Sequence, residues 1–317
     1  MYACRACGNV RENIRHVFQE KYLGLGDPCE YLECGNCGSL SIVEIPEHME
    51  WYYPGNYYSY TQRTYTRMAG WLKGQRDRYY IDRTSIIGYL LSFRSSAPLY
   101  IEWLKNLTLP YGSTILEAGS GAGTLIVNLQ DAGFPSVGVD PYIAGPITYA
   151  NGAQVLKQSL EQTTGTYDCI MLHHCLEHMA DPQSAFRHIH RLLKPGGKLL
   201  VRIPVAGTYA WRTYGLNWFQ LDAPRHFVIF TERALCDLAE RTGFTKDKII
   251  YDSRASLFWA SEQYGKGIAL ASERSYAVDP DKSIFTPGQI AEYEKQAQQL
   301  NTRKDGDQAA FYFTREA

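Results

Sequence analysis

Ten residues constrain this chain more than any others. Thr114-Ile-Leu-Glu-Ala-Gly-Ser-Gly-Ala-Gly123 is an apolar run that ends in an acid and passes into a turn with three glycines. Ending seventeen residues past Gly123, Val137-Gly-Val-Asp140 is a second apolar run closed by an acid. A strand, a glycine turn and a helix start bring backbone close to a ligand, and an acid ending the next strand is placed to hold a ribose. The pair predicts a nucleotide-binding α/β unit. The dinucleotide fingerprint needs Gly-x-Gly-x-x-Gly, whereas Gly119, Gly121 and Gly123 are followed by Thr124, one position early.

From Ser113 onward, strand and helix patterns alternate, which predicts a mostly parallel sheet covered on both faces. Candidate strands are 114–117, 136–140, 153–156, 169–173, 198–203, 248–252 and 309–314. Asp181-Pro182 reads as a helix cap with proline at the first helical position, and Gly196-Gly197 as that helix's end. Thr231 to Gly243 is a capped amphipathic helix. Two insertions, 204–230 and 253–306, interrupt the alternation. In open α/β sheets ligands sit at the carboxyl ends of strands, so loops after the fourth, fifth and sixth strands should roof a site.

Three segments, in order, resemble the class I S-adenosylmethionine (SAM)-dependent methyltransferases. Glu117-Ala-Gly119-Ser-Gly121-Ala-Gly123 matches their first motif, and Tyr167 to His178 with Asp181-Pro182 is similar to their fourth strand and Glu-His motif. Leu193-Lys-Pro-Gly-Gly-Lys-Leu-Leu-Val201 is similar to their fifth-strand approach. The resemblance covers roughly residue 97 onward. It implies a Rossmann-like seven-stranded sheet with the last strand antiparallel, and SAM as cofactor. It also implies cofactor contacts at Glu117, Gly119, Gly121, Gly123, Asp140, Ser159, Leu160 and His174. Methyl transfer to an alcohol needs a place for the acceptor's proton, and histidine is the natural base near neutral pH. His178 and His226 are the catalytic candidates. His174 and His178 have helical metal-ligand spacing but not the His-Glu-x-x-His order, so a catalytic metal is not expected.

Five of the eight cysteines fall in the first 37 residues. Cys4-x-x-Cys7 and Cys34-x-x-Cys37 are two knuckles, each followed by glycine, and four thiolates close a structural zinc site. A β-hairpin can fill the spacer between them. Residues 1–50 are read as a zinc-ribbon module and 51–110 as a Tyr-rich helical cap or linker. Residues 111–317 are read as the methyltransferase domain. Helices are expected over 76–93, 99–107 and 286–300. The Tyr-rich segment has two open uses: a packed helical cap, or a substrate wall with aromatic faces for a sugar ring.

The formal net charge is −1, which gives no general attraction to nucleic acid or an anionic membrane. The ribbon itself is acidic, with four Lys/Arg against eight Asp/Glu. No run of 18 apolar residues suggests a membrane span. A cytoplasmic chain is expected, and its oligomeric state is left open. The ribbon, the Tyr-Tyr-Pro linker and the Trp218 to Phe227 loop together resemble methyltransferases of bacterial surface-polysaccharide and deoxysugar pathways. That resemblance implies O-methylation of a sugar or glycan, with Tyr209, Trp218 and Arg225 binding substrate. Alternatives are an RNA methyltransferase, a small aromatic or quinone O-methyltransferase sharing the Glu-His motif, and a non-catalytic SAM-binding module.

Overall fold

The computed structural model describes residues 2–53 and 66–316. The aromatic run from Pro54 to Tyr60, part of the suggested substrate wall, lies outside the described residues. The N-terminal segment forms the hairpin β1 (Ile14–Gln19) and β2 (Pro28–Glu33), then β3 (Leu40–Ile42). Three helices follow: α1 (Arg67–Asp82), α2 (Ile86–Ser92) and α3 (Leu99–Leu107). The next elements are β4 (Ile115–Ala118), α4 (Thr124–Asp131), β5 (Ser136–Val139), β6 (Ile147–Thr148), β7 (Gln154–Leu156) and β8 (Tyr167–His173). Then come α5 (Pro182–Leu192), β9 (Leu193–Pro204), α6 (Tyr209–Tyr214), β10 (Val228–Ile229) and α7 (Glu232–Arg241). The chain closes through β11 (Phe244–Tyr251), α8 (Ser256–Gly265), α9 (Pro287–Thr302) and β12 (Gln308–Arg315).

The large sheet has the order β11-β12-β9-β8-β4-β5-β7-β6. Strands β9, β8, β4, β5 and β7 are parallel neighbours. β12 is inserted antiparallel between β9 and β11, as the resemblance implies for the final strand. Every residue of β4 is buried, the signature of a parallel strand covered on both faces. The eighth strand, β6, is a two-residue antiparallel partner of β7 and carries no periodic signal in the sequence.

Two helix boundaries differ from expectation. The helix expected over 76–93 is two helices, because Arg83 takes a left-handed φ of 64°. Asp82 then accepts from the backbone N–H and hydroxyl of Thr84, and Ser85 caps α2 by accepting from Gly88 N–H. Apolar spacing runs through the break, so periodicity alone hides it. Helix α5 is capped by Asp181 as expected but ends at Leu192, and Gly196-Gly197 lie inside β9. The chain passes straight from helix to strand, so the glycines do not stop the helix.

The N-terminal strands do not form an isolated module. β3 pairs antiparallel with β10, which comes from the 204–230 insertion, giving a sheet of order β1-β2-β3-β10. Cys4, Ala6, Cys34 and Cys37 share one apolar core with Leu199, Val201 and Phe230. Phe18, Tyr31 and Leu40 share another with Trp218, Leu257 and Ala297. The loop expected to roof the site is therefore held from below by the cysteine-bearing sheet. Among the described residues, no helix is long and apolar enough to cross a membrane.

Candidate active site

The glycine turn leaves β4 at the carboxyl edge of the sheet. Gly119 and Gly123 have φ of 69° and 80°, a region that disfavours any side chain. A Cβ on Gly119 would stand 2.3 Å from Cys175 Sγ, and one on Gly123 would stand 2.4 Å from Val155 Cγ2. The turn is thus seated against the exit of β8 on one side and against β7 on the other. Asp140, at the end of β5, accepts from Gly121 N–H at 3.0 Å and Tyr142 N–H at 2.9 Å. Glu117 is buried, and its Oε2 has no hydrogen-bond partner; neither does Ser120 Oγ. Burial, then the Asp140 charge, push the Glu117 carboxyl up to about 8. An unpartnered acid beside a glycine turn suits a ligand carrying an ammonium group, which is what the methionine end of SAM offers. Ser159 is half-buried, with its N–H donating to Gln162 Oε1, and Leu160 is buried beyond β7.

The exit of β8 carries His174, Glu177 and His178. His174 has φ of 48°, an uncommon backbone for a non-glycine residue and one found at functional turns. Its Nε2 faces Arg202 Nη1 at 2.8 Å. A guanidinium can only donate, so His174 Nε2 accepts and its Nδ1–H donates to Glu177 Oε1 at 3.1 Å. Arg202 in turn donates to Asp252 at 2.6 Å. Both His174 nitrogens are engaged in this Asp252–Arg202–His174–Glu177 chain, which fixes the Glu177 carboxylate. Burial alone would raise Glu177, but the His174 hydrogen bond and the neighbouring histidines outweigh it and hold the acid below its ordinary range.

The 204–230 loop brings His226 to His178, their ring centroids 4.8 Å apart. His178 Nδ1–H donates to the Arg225 carbonyl and His226 Nδ1–H to the Gln220 carbonyl, each at 2.8 Å. Carbonyls only accept, so in the neutral form of either ring Nε2 carries the lone pair. Burial, followed by the nearby His178, lowers His226 to about 4, so it is neutral at physiological pH. Sequence spacing of almost fifty residues gives no hint of this pairing; Phe227 N–H, donating to the Glu177 carbonyl at 2.7 Å, ties the two segments directly, and β10 pairs with β3 just beyond. Tyr31, in β2, adds to it by donating its hydroxyl to the His226 carbonyl at 2.7 Å.

The three expected substrate contacts have different surroundings. Arg225 is fully buried, donates to both Asp222 oxygens and to the Tyr52 carbonyl, and lies 3.7 Å from Glu20. Trp218 is buried and donates its indole N–H to Asp307 at 2.9 Å. Both are internal struts of the loop. Tyr209 is half-buried at the start of α6, its ring near Phe258. Asp222, Asp307, Arg202 and Asp252, which tie the site together, carry no local sequence signal.

The four cysteine sulfurs lie within 4.8 Å of one another. The pairs Cys4–Cys37 and Cys7–Cys34 are 3.7 and 3.6 Å apart. Tetrahedral zinc with bonds of about 2.3 Å has sulfur–sulfur edges of roughly 3.8 Å, so the cluster fits that ion.

Comparison with known proteins agrees with the fold. Residues 93–249 match a family model described as a methyltransferase domain. Fold, glycine turn and this match together make the region a SAM-dependent methyltransferase domain of class I. A relative named ubiquinone biosynthesis O-methyltransferase from Pseudomonas paraeruginosa is 30% identical over 33% of this chain and 50% of its own. Another of that name from Albidiferax ferrireducens is 29% identical over 57% of this chain and 80% of its own. The chain spans about half the length of the first of these curated relatives. A magnesium protoporphyrin IX methyltransferase structure from Synechocystis superposes with a TM-score of 0.43. It is 13% identical and covers 81% of this chain and 91% of its own.

Proposed function

We propose that this chain transfers a methyl group from SAM to a hydroxyl of a small acceptor, and that the acceptor is of the phenol or quinone-precursor class. The observation that carries the transfer chemistry is the His178–His226 pair. It places two imidazoles, each anchored through Nδ1 to a backbone carbonyl, at the carboxyl edge of the sheet beside the glycine turn. The names of the curated relatives favour the phenolic acceptor. Glu117, Gly119, Gly121, Gly123 and Asp140 would hold the cofactor, with Ser159 and Leu160 toward its base. When bound, SAM supplies an electrophilic methyl on a sulfonium. The protein's part is to align the acceptor oxygen with that carbon, exclude water and take the hydroxyl proton on His178 or His226 as the oxygen–carbon bond forms. His174 orients Glu177 in this scheme. Zinc on Cys4, Cys7, Cys34 and Cys37 would hold the sheet that carries the His226 loop.

The sugar reading, carried by the ribbon, the Tyr-Tyr-Pro linker and the Trp218 to Phe227 loop, places Tyr209, Trp218 and Arg225 on the substrate. With Trp218 and Arg225 engaged in the interior, it loses two of its three side chains. The test is transfer of labelled methyl from SAM into matched sets of catechols and hydroxyquinols, nucleotide sugars, and RNA. Label in the phenolic set supports the proposal. Label confined to sugars or RNA replaces the acceptor class, and no label in any set removes the proposed reaction.

A further inference from the structure

One carboxylate and two imidazoles, those of Glu177, His178 and His226, converge so that their ligand atoms all lie within 4.8 Å of one another. The bonds made by Nδ1 of each ring and by Glu177 Oε1 leave Nε2 of each ring and Oε2 as the remaining ligand atoms. His178 and His226 have their Nδ1 atoms on backbone carbonyls, so in the neutral rings Nε2 carries the lone pair. Glu177 is fully buried, and while Oε1 accepts from His174, Oε2 has no partner. A buried carboxylate oxygen without a partner is costly, and two neutral imidazole acceptors cannot relieve it. Asp222 faces His226 at 3.8 Å and adds further negative charge, partly neutralised by Arg225. A buried carboxylate oxygen without a partner, with two imidazoles at ligand distance, suits a cation. The surrounding bonds are those that orient metal ligands: an imidazole N–H on a carbonyl for each histidine, and the Asp252–Arg202–His174 chain behind the carboxylate.

We propose that Glu177, His178 and His226 form a two-histidine, one-carboxylate site for a divalent transition-metal ion, separate from the cysteine cluster. Imidazole and carboxylate donors suit zinc, iron, cobalt or manganese, and three protein ligands leave coordination positions open. The set differs from the His174–His178 spacing visible in the sequence, because His174 is engaged by Arg202 and Glu177. The role of the ion rests on the methyl-transfer reading. Cys175, two residues before Glu177, abuts Gly119, so the ion would sit next to the cofactor turn and could take the acceptor oxygen in an open position. With the ion held, both Nε2 atoms would be ligands and no longer bases, so the acceptor would give its proton to solvent while the oxygen–methyl bond forms and the methyl–sulfur bond breaks with its electron pair remaining on sulfur. The products are a methyl ether and a thioether.

The test uses the full chain with zinc restored to the cysteine site, titrated with Co2+. A tetrathiolate site gives intense sulfur-to-cobalt charge transfer, whereas a nitrogen–oxygen site gives ligand-field bands alone. The expected result is uptake of a further equivalent without charge transfer. Glu177→Gln and His226→Gln should each weaken that uptake about tenfold or more. SAM affinity, measured in parallel, identifies variants that remain folded, and the near-isosteric Glu177→Gln serves if His226→Gln does not. Absence of the second equivalent, its appearance only with charge transfer, or its insensitivity to the folded variants overturns the site. Methyl transfer that persists without the second metal would leave the proposed function standing and remove the ion's catalytic role. Specific Co2+ uptake without transfer to any acceptor would do the reverse.

Discussion

At the scale of single residues, the site is defined by groups whose surroundings oppose their usual protonation. Glu117 is moved from its ordinary 4.5 to about 8 by burial and by Asp140. Between those values the folded chain keeps a proton that the unfolded chain has lost, so this residue's contribution to stability declines as pH rises through the window. Glu117→Gln abolishes that titration. Thermal denaturation should show the variant gaining stability relative to wild type from pH 6 to pH 8, while calorimetry shows weaker SAM binding. In wild type, SAM binding near neutral pH should release a proton, read as a dependence of binding heat on buffer ionisation enthalpy. Arg225 makes a different prediction. It is enclosed by Asp222, Glu20 and the Tyr52 carbonyl, so Arg225→Met strands buried acids and should cost about 3–5 kcal/mol in chemical denaturation. A substrate-contacting arginine would instead alter KM with little change in stability.

At the scale of elements, the short ladder between β3 and β10 joins the cysteine cluster to the loop bearing His226. Thr231, just beyond β10, donates its hydroxyl to the Cys37 carbonyl at 2.8 Å and adds a second tie. Removing the proposed zinc from the cysteines, or Cys37→Ser, should therefore raise amide hydrogen exchange across 226–230 and reduce methyl transfer, while exchange in β4 and β5 changes little. The two knuckles, the hairpin and the glycine turn are legible in the sequence because each is a local pattern with a local cause. The ladder is not, since two-residue strands have no periodicity and their pairing depends on chain far away. The same limit explains Trp218 and Arg225. A tryptophan and an arginine in an insertion read as exposed binding groups until Asp307 and Asp222 are seen to engage them. His178 and His226 were each identifiable as histidines near the sheet's edge, but their meeting is a tertiary fact.

For the whole molecule, the parallel order of the large sheet follows from alternating strand and helix signals, and β12 runs antiparallel as the resemblance implies. What composition does not convey is that the N-terminal strands and the methyltransferase domain share their apolar cores. One cooperative calorimetric transition is therefore expected, shifted downward as a unit by chelation; two resolved transitions would contradict shared cores. The closing of the small sheet also has a consequence for synthesis. On the ribosome β1, β2 and β3 emerge early, yet the strand that pairs with β3 arrives only after most of the large sheet has been made. Until then β3 has an unpaired edge, with backbone groups open to any other strand. The nascent chain must keep that edge from neighbouring copies until residues 228–229 arrive, and capture of the proposed zinc by the already complete cysteine set would order the segment at that early stage.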